Sequence, residues 1–215
     1  MASIFLDLGG TLVDFRPTYH EPIYYVLLKH NYDVSLKQIY RAISAYLSRE
    51  DLKMVDGNPI IDYREILKTL SLKVDEGTEK ELAQLNFVSI SYSLYHDTLP
   101  FLKALKSLGY RIHIISNASK KIHQVLKETS LIEYVETVTA SYEVGRMKPS
   151  KEIFLEGIKK AGEAGPYIGD LYEVDYLGAE RAGLKPILLD RLDFYDDVNA
   201  VKVRSLMDAI KLIKS

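Results

Sequence analysis

The octapeptide Asp7-Leu8-Gly9-Gly10-Thr11-Leu12-Val13-Asp14 follows the apolar run Ile4-Phe5-Leu6 and sets the frame for the rest of the chain. A short apolar run closed by an acid and two glycines reads as a buried parallel strand that delivers a carboxylate to its carboxyl end. In open α/β sheets that end is where ligands bind. Alone, the octapeptide also fits a surface acid in a Gly-Gly turn, so the later stretches decide between the two.

From Asp97 onward strands and helices alternate, the pattern of a parallel sheet covered by helices on both faces. Phe101, Leu102, Leu105 and Leu108 mark a helix stopped by Gly109, and the strand Arg111-Ile112-His113-Ile114-Ile115 then ends at Ser116-Asn117. A helix near 119–128 leads to a strand at 135–138, and Pro149 opens a helix through Ile153, Phe154 and Ile158. Tyr167-Ile168 is a short strand ending at Gly169-Asp170, and the helix at 173–182 is stopped by Gly183. Ile187-Leu188-Leu189 forms a fifth strand, and Val203, Leu206, Ile210 and Ile213 line a closing helix.

Between Pro17 and Ser93 the apolar spacing is helical throughout and no strand is expected. Ile23, Val26, Leu27 and His30 share one helical face, as do Ile39, Ile43 and Leu47, then Ile66, Leu67 and Leu70, then Leu82, Leu85 and Val88. Breaks fall at Asn31-Tyr32-Asp33, at Asp56-Gly57-Asn58-Pro59 and at Asp75-Glu76-Gly77, the last followed by Thr78 and Glu81 in capping-box spacing. The expected organisation is a Rossmann-like α/β core over 1–16 and 94–215 carrying an all-helical insert over 17–93.

Composition narrows the function classes. At 215 residues and 47% hydrophobic content there is room for one large domain with a smaller insert. The 28 basic and 30 acidic side chains give a net charge of −2, and the pairs Lys120-Lys121 and Lys159-Lys160 read as solvated helix faces, so no nucleic-acid partner is expected. The absence of cysteine removes disulfides, thiolate nucleophiles and cysteine metal ligands together. No signal-like or membrane-spanning stretch stands out, which makes the cytoplasm the default location and a membrane partner unexpected.

Four sites therefore fall at or just beyond strand ends: Asp7, Ser116-Asn117, Lys148-Pro149, and Gly169-Asp170 with Asp175 five residues on. Parallel strands bring all four to one rim of the sheet. Each alone fits a cap, a turn or a surface charge; their joint order points to nucleophilic displacement at a small anionic substrate, with Asp7 attacking and forming a covalent aspartyl intermediate. Clustered carboxylates repel such a substrate, so Asp7 and Asp170 call for a hard cation such as Mg²⁺. Lys148 adds a fixed positive charge, and the Ser116 hydroxyl with nearby backbone N–H groups is placed to hold substrate oxygens. Asp175 either holds a metal-bound water or orients Lys148.

These four stretches resemble motifs I to IV of the haloacid dehalogenase-like (HAD) hydrolases, in order and over the whole chain. The family pattern runs Asp-x-Asp-Gly-Thr-Leu-x-Asp, an apolar strand to Ser or Thr with Asn, Lys-Pro, then Gly-Asp-x-x-x-x-Asp. The stretches Lys148-Pro149-x-x-x-Ile153-Phe154 and Gly169-Asp170 through Ala182-Gly183 are the most specific part. The resemblance implies that Asp7 is the nucleophile, with Lys148 beside it in the catalytic set, and that Asp170 and the Gly9 carbonyl join Asp7 as magnesium ligands, Asp175 lying just behind. It also implies substrate binding by Thr11, Ser116 and Asn117, and makes the insert similar to the family's helical cap.

One departure stands out. Two residues after the nucleophile, where the family's phosphatases carry an acid/base Asp, this chain has Gly9. A positioned acid/base group contributes about 10²- to 10⁴-fold, so alkyl phosphate esters are expected to be slow substrates. The favoured reading is a Mg²⁺-dependent phosphatase. The alternative is a metal-independent 2-haloacid dehalogenase, whose halide leaves without a proton and for which Arg41 or Arg49 would bind the halide. A third is a catalytically weakened binding or regulatory member.

Overall fold

The computed structural model describes residues 2–89 and 91–213. Met1, Ile90, Lys214 and Ser215, which the expected core and insert ranges include, lie outside the described residues. The chain opens with strand β1 (Ser3–Leu6), crosses a tight loop to β2 (Val13–Arg16), and enters the insert through helices α1 (His20–Lys29) and α2 (Leu36–Leu47). The strands β3 (Met54–Val55) and β4 (Asn58–Pro59), helices α3 (Tyr63–Thr69) and α4 (Glu76–Leu82), and strand β5 (Ser91–Leu94) complete it. Alternation then follows: α5 (Thr98–Ser107), β6 (Arg111–Ser116), α6 (Ile122–Glu128), β7 (Val135–Ala140), α7 (Ser141–Val144), α8 (Lys151–Ala161) and β8 (Pro166–Gly169). A π-helical turn at Tyr172–Tyr176 runs into α9 (Leu177–Arg181), and β9 (Lys185–Leu189), β10 (Lys202–Val203) and α10 (Leu206–Ile213) close the chain.

Six strands form one parallel sheet in the order β10-β9-β8-β1-β6-β7. The period of two sorts its side chains onto opposite faces. Ile4, Leu6, Ile112, Ile114 and Ile168 pack beneath α5, α6 and α10 through Phe101, Leu105, Leu126 and Leu206. Phe5, Ile115 and Tyr167 face α8 and α9 through Ile153, Phe154 and Ala179. The central strand β1 is fully buried, as a strand covered on both faces must be. This is the expected Rossmann-like α/β architecture.

The insert has its own apolar cluster, in which Ile23, Leu27, Ile39, Ile43, Leu47, Ile66, Leu67 and Leu82 meet, joined by Val174 from the core. Three local expectations are corrected. The segment is not free of strands: β2 and β5 pair antiparallel at its root, and β3 and β4 form a hairpin. At the hairpin turn Asp56 and Gly57 both take positive φ, 49° and 83°, the backbone of a two-residue Asp-Gly turn. Strands of two residues are too short to show alternation in the sequence. Helix α4 begins earlier than the Thr78–Glu81 spacing implied, because Asp75 caps it by accepting from the Thr78 N–H and hydroxyl at 2.9 Å each; Leu85 and Val88 lie beyond its end. Val203 is in the sheet, paired with Leu189 as a sixth strand. The closing helix starts only at Leu206, where the Ser205 hydroxyl accepts from the Asp208 N–H. Among the described residues no helix is long and apolar enough to cross a membrane.

Candidate active site

Register builds the site. Strands β1 and β8 are neighbours with Phe5 opposite Tyr167 and Leu6 opposite Ile168, and the Asp7 N–H donates to the Ile168 carbonyl at 2.9 Å. Asp7 therefore leaves the sheet beside Gly169-Asp170. The loop after Asp7 closes on itself, with the N–H groups of Leu12 and Val13 both reaching the Leu8 carbonyl and that of Gly10 the Val13 carbonyl, each at 2.9 Å. Gly10 has φ +76°, and a Cβ there would sit 2.3 Å from Asp170 Oδ2, so only glycine lets this loop lie against the second carboxylate. Gly169 is excluded from carrying a side chain in the same way, by Asp175.

Three carboxylates converge: one oxygen from each of Asp7, Asp170 and Asp175 lies within 4.8 Å of the others. Lys148 sits among them, 3% exposed, its ammonium 2.6 Å from Asp7 Oδ1, 2.7 Å from Asp175 Oδ1 and 3.0 Å from the Tyr167 hydroxyl. All three donors of the ammonium are thus in use. The Tyr167 hydroxyl in turn donates to Asp175 Oδ1 at 2.6 Å, and the Leu171 N–H donates to Asp175 Oδ2 at 3.0 Å, beside the π-helical turn at Tyr172–Tyr176. Three protein donors thus reach Asp175, two of them on Oδ1. Acceptor positions remain free on Asp7 Oδ2, to which the Thr11 hydroxyl donates weakly at 3.5 Å, and on Asp170 Oδ1.

The remaining expected residues are also placed. Ser116 is buried at the end of β6, next to β1. The Asn117 amide clamps the Lys148 backbone, accepting from its N–H at 2.6 Å and donating to its carbonyl at 3.0 Å. It fastens the Lys148 loop. Arg41 and Arg49 are engaged elsewhere. Arg41 pairs with Asp197 and lies over the Tyr195 ring, and Arg49 pairs with Asp51 and Glu65.

Gly9 offers no side chain. A Cβ built there would meet the Phe15 ring of β2 at 3.3 Å, a tight contact from which the ring would have to give by a few tenths of an ångström. Tyr167 is a site residue that the sequence reading does not single out, and Tyr40 is one of six insert tyrosines, with Tyr19, Tyr24, Tyr25, Tyr46 and Tyr63, that the sequence offers as pocket lining without distinguishing among them. Tyr167 could have been found as a polar tip at a buried strand position two residues before Gly169. The Tyr40 hydroxyl donates to Asp170 Oδ2 at 2.9 Å.

The electrostatics follow from burial. Asp7 is pushed up to about 6 by desolvation, opposed by the Lys148 ammonium and reinforced by the charge of Asp175. Asp170 is pushed well above the usual carboxylate range, first by burial and then by the charges of Asp175 and Asp7. Lys148 is held above its ordinary value: burial works against the charge, and the two carboxylates outweigh it. With all three acids ionised, one ammonium leaves two negative charges uncompensated, and Asp170 has no ion-pair partner among the described residues. A hard-oxygen donor set short of two positive charges fits a dication such as Mg²⁺.

An open parallel α/β sheet with three carboxylates and a lysine at one rim of its strand ends is compatible with hydrolase chemistry. Residues 1–183 match the family model of the haloacid dehalogenase-like hydrolases, and the chain belongs to that family. It is 26% identical over 204 residues to the glyceraldehyde 3-phosphate phosphatase of Methanothermobacter thermautotrophicus, covering 88% of this chain and 86% of that protein. Its fold is similar to the crystal structure of a HAD phosphatase from Thermococcus onnurineus, with TM-score 0.61 and 24% identity, covering 99% of this chain and 97% of that one. It is equally similar to the L-2-haloacid dehalogenase RSc1362, with TM-score 0.62 and 15% identity over 100% of this chain and 99% of that one. The fold alone thus accommodates both chemistries.

Proposed function

We propose that this hydrolase is a Mg²⁺-dependent phosphatase of small phosphorylated metabolites, acting through Asp7. The observation that carries the reading is the charge deficit: three carboxylates converge, the one ammonium pairs with Asp7 and Asp175, and Asp170, which a metal-free dehalogenase does not need, is left without a cation partner among the described residues. The Methanothermobacter relative, named for a triose phosphate, supports a small phosphorylated substrate.

Asp7 Oδ2 is the attacking oxygen. Lys148 holds Oδ1 and, despite burial, keeps the acid near 6, so that it is mainly ionised at neutral pH. The new bond joins Asp7 to phosphorus, the bond from phosphorus to the substrate's bridging oxygen breaks, and the leaving group departs. Water then attacks phosphorus, the Asp7–phosphorus bond breaks and restores the carboxylate, and the water's proton leaves with the phosphate or to solvent. Asp7, Asp170 and the Gly9 carbonyl would hold Mg²⁺, which when bound supplies the positive charge that the phosphoryl oxygens need. Thr11 and Ser116 border the place those oxygens would occupy, Asn117 keeps Lys148 in position, and the insert over 17–93 acts as the cap.

The Gly9–Phe15 arrangement favours one other reading, halide displacement, which requires no proton donor. A panel of phosphate esters and 2-haloacids, assayed with Mg²⁺ and with excess chelator, decides between them. Phosphate release that chelator abolishes is the expected result. Halide release that survives chelator would assign the site to the dehalogenases.

A further inference from the structure

We propose that Tyr40, on the insert helix α2, is a positioning residue for Asp170, and that through it cation binding and seating of the insert favour each other. The inference rests on the metal-dependent reading above.

Helix α2 docks on the core by one face. Lys37, Tyr40, Arg41 and Ser44 are spaced i, i+3, i+4 and i+7, which places them on a single stripe. Lys37 pairs with Asp196 at 2.5 Å and Arg41 with Asp197 at 2.6 Å, both on the loop between β9 and β10. The Ser44 hydroxyl donates to Glu173 at 2.5 Å, within the turn that also carries Asp175. Of the four, Tyr40 alone reaches the carboxylate triad, donating to Asp170 Oδ2 at 2.9 Å with its longer contact to the Asp170 carbonyl at 3.4 Å. Its ring is gripped edge-on by His20, Phe194 and Tyr195, at centroid distances of 5.1, 5.4 and 6.0 Å.

Two consequences follow from these contacts. Asp170 is the carboxylate without an ion-pair partner, and the phenol is the one side-chain donor to it among the described residues, so Tyr40 both orients the carboxylate and supports its ionised form. The hydroxyl occupies Oδ2 and leaves Oδ1 open to a cation. Partners that hold a metal ligand from behind typically change metal affinity by about 10- to 100-fold. Because the donor belongs to α2, whatever the seated insert adds to cation affinity, the cation adds to the seating of the insert.

Tyr40→Phe keeps the ring and removes the donor. Magnesium chloride titrated calorimetrically into the parent and into Tyr40→Phe should show affinity about 10-fold or more weaker in the variant. Amide hydrogen exchange of α2 should slow on adding Mg²⁺ to the parent and stay unchanged in the variant, a response that packing alone does not produce. Equal or tighter Mg²⁺ binding by Tyr40→Phe, or Mg²⁺-slowed exchange of α2 in both proteins, would overturn the inference and leave the phosphatase reading intact. A parent that binds no Mg²⁺ would remove the metal-dependent reading itself, and the inference with it.

Discussion

Gly9 is the residue at which the sequence leads one to expect a departure from the family's phosphatases, and its surroundings bear on what that departure would do. Neither nearby phenol serves as a replacement acid: burial and the neighbouring carboxylates hold Tyr40 and Tyr167 far above neutrality, so each keeps its proton. Substrates whose leaving groups need little protonation, such as aryl and acyl phosphates, should therefore be turned over faster than alkyl phosphates. Gly9→Asp should raise the alkyl-to-aryl ratio of turnover, within the roughly 10²- to 10⁴-fold that acid/base catalysis supplies. The new Cβ would stand 3.3 Å from Phe15, so the ring must give by a few tenths of an ångström, and the double variant Gly9→Asp/Phe15→Ala should show the larger gain. Steady-state kinetics on folded variants at saturating Mg²⁺ reads this, and an unchanged ratio with chemistry rate-limiting would show that the natural reaction needs no proton at this position.

At the scale of elements, the crowding of carboxylates is imposed by the sheet. Neighbouring parallel strands β1 and β8 end at the same level, and the turn after β8 returns Asp175 to the same point, so repulsion is built into the register. The sign of the resulting pH dependence follows. A carboxyl group whose folded value is raised, as for Asp170, contributes stability that is fully present below its unfolded value and is lost as pH rises through the folded one. In chelator, Asp170→Asn should therefore melt above the parent at pH 8, with the gap closing towards pH 4. Each kcal/mol relieved corresponds to about 2–4 °C in a chain of this size. Added Mg²⁺ should raise the parent's melting temperature and leave the variant's in place; equal melting of the two proteins at pH 8 in chelator would count against the charge deficit.

These same elements were readable in advance where burial wrote a pattern. Ile4-Phe5-Leu6 and Ile112, Ile114 and Ile115 are apolar because their strands are covered on both faces, and that places Asp7 and Ser116 at a common rim. Short pieces left no such mark. Val203 fits the spacing of Leu206, Ile210 and Ile213, and only the capping hydroxyl of Ser205, which starts the helix after it, shows why it joins the sheet.

For the molecule as a whole, the layered core was legible and the seating of the insert was not. Lys37, Arg41 and Ser44 look in the sequence like the solvated side of α2, yet they meet Asp196, Asp197 and Glu173, more than 100 positions away. Tyr40 is one of six insert tyrosines that the sequence offers as pocket lining, and the fold alone places it on Asp170. What unifies core and insert is the chemistry assigned to Asp7, and one measurement addresses it directly. Parent and Asp7→Asn, matched in circular dichroism, are mixed with p-nitrophenyl phosphate and Mg²⁺, quenched in acid and analysed by peptide mass spectrometry alongside their turnover. The account predicts one phosphoryl group on the peptide containing Asp7 in the parent, with neither that adduct nor turnover in the variant. Turnover retained by Asp7→Asn, or a phosphoryl group found on another residue, would contradict it.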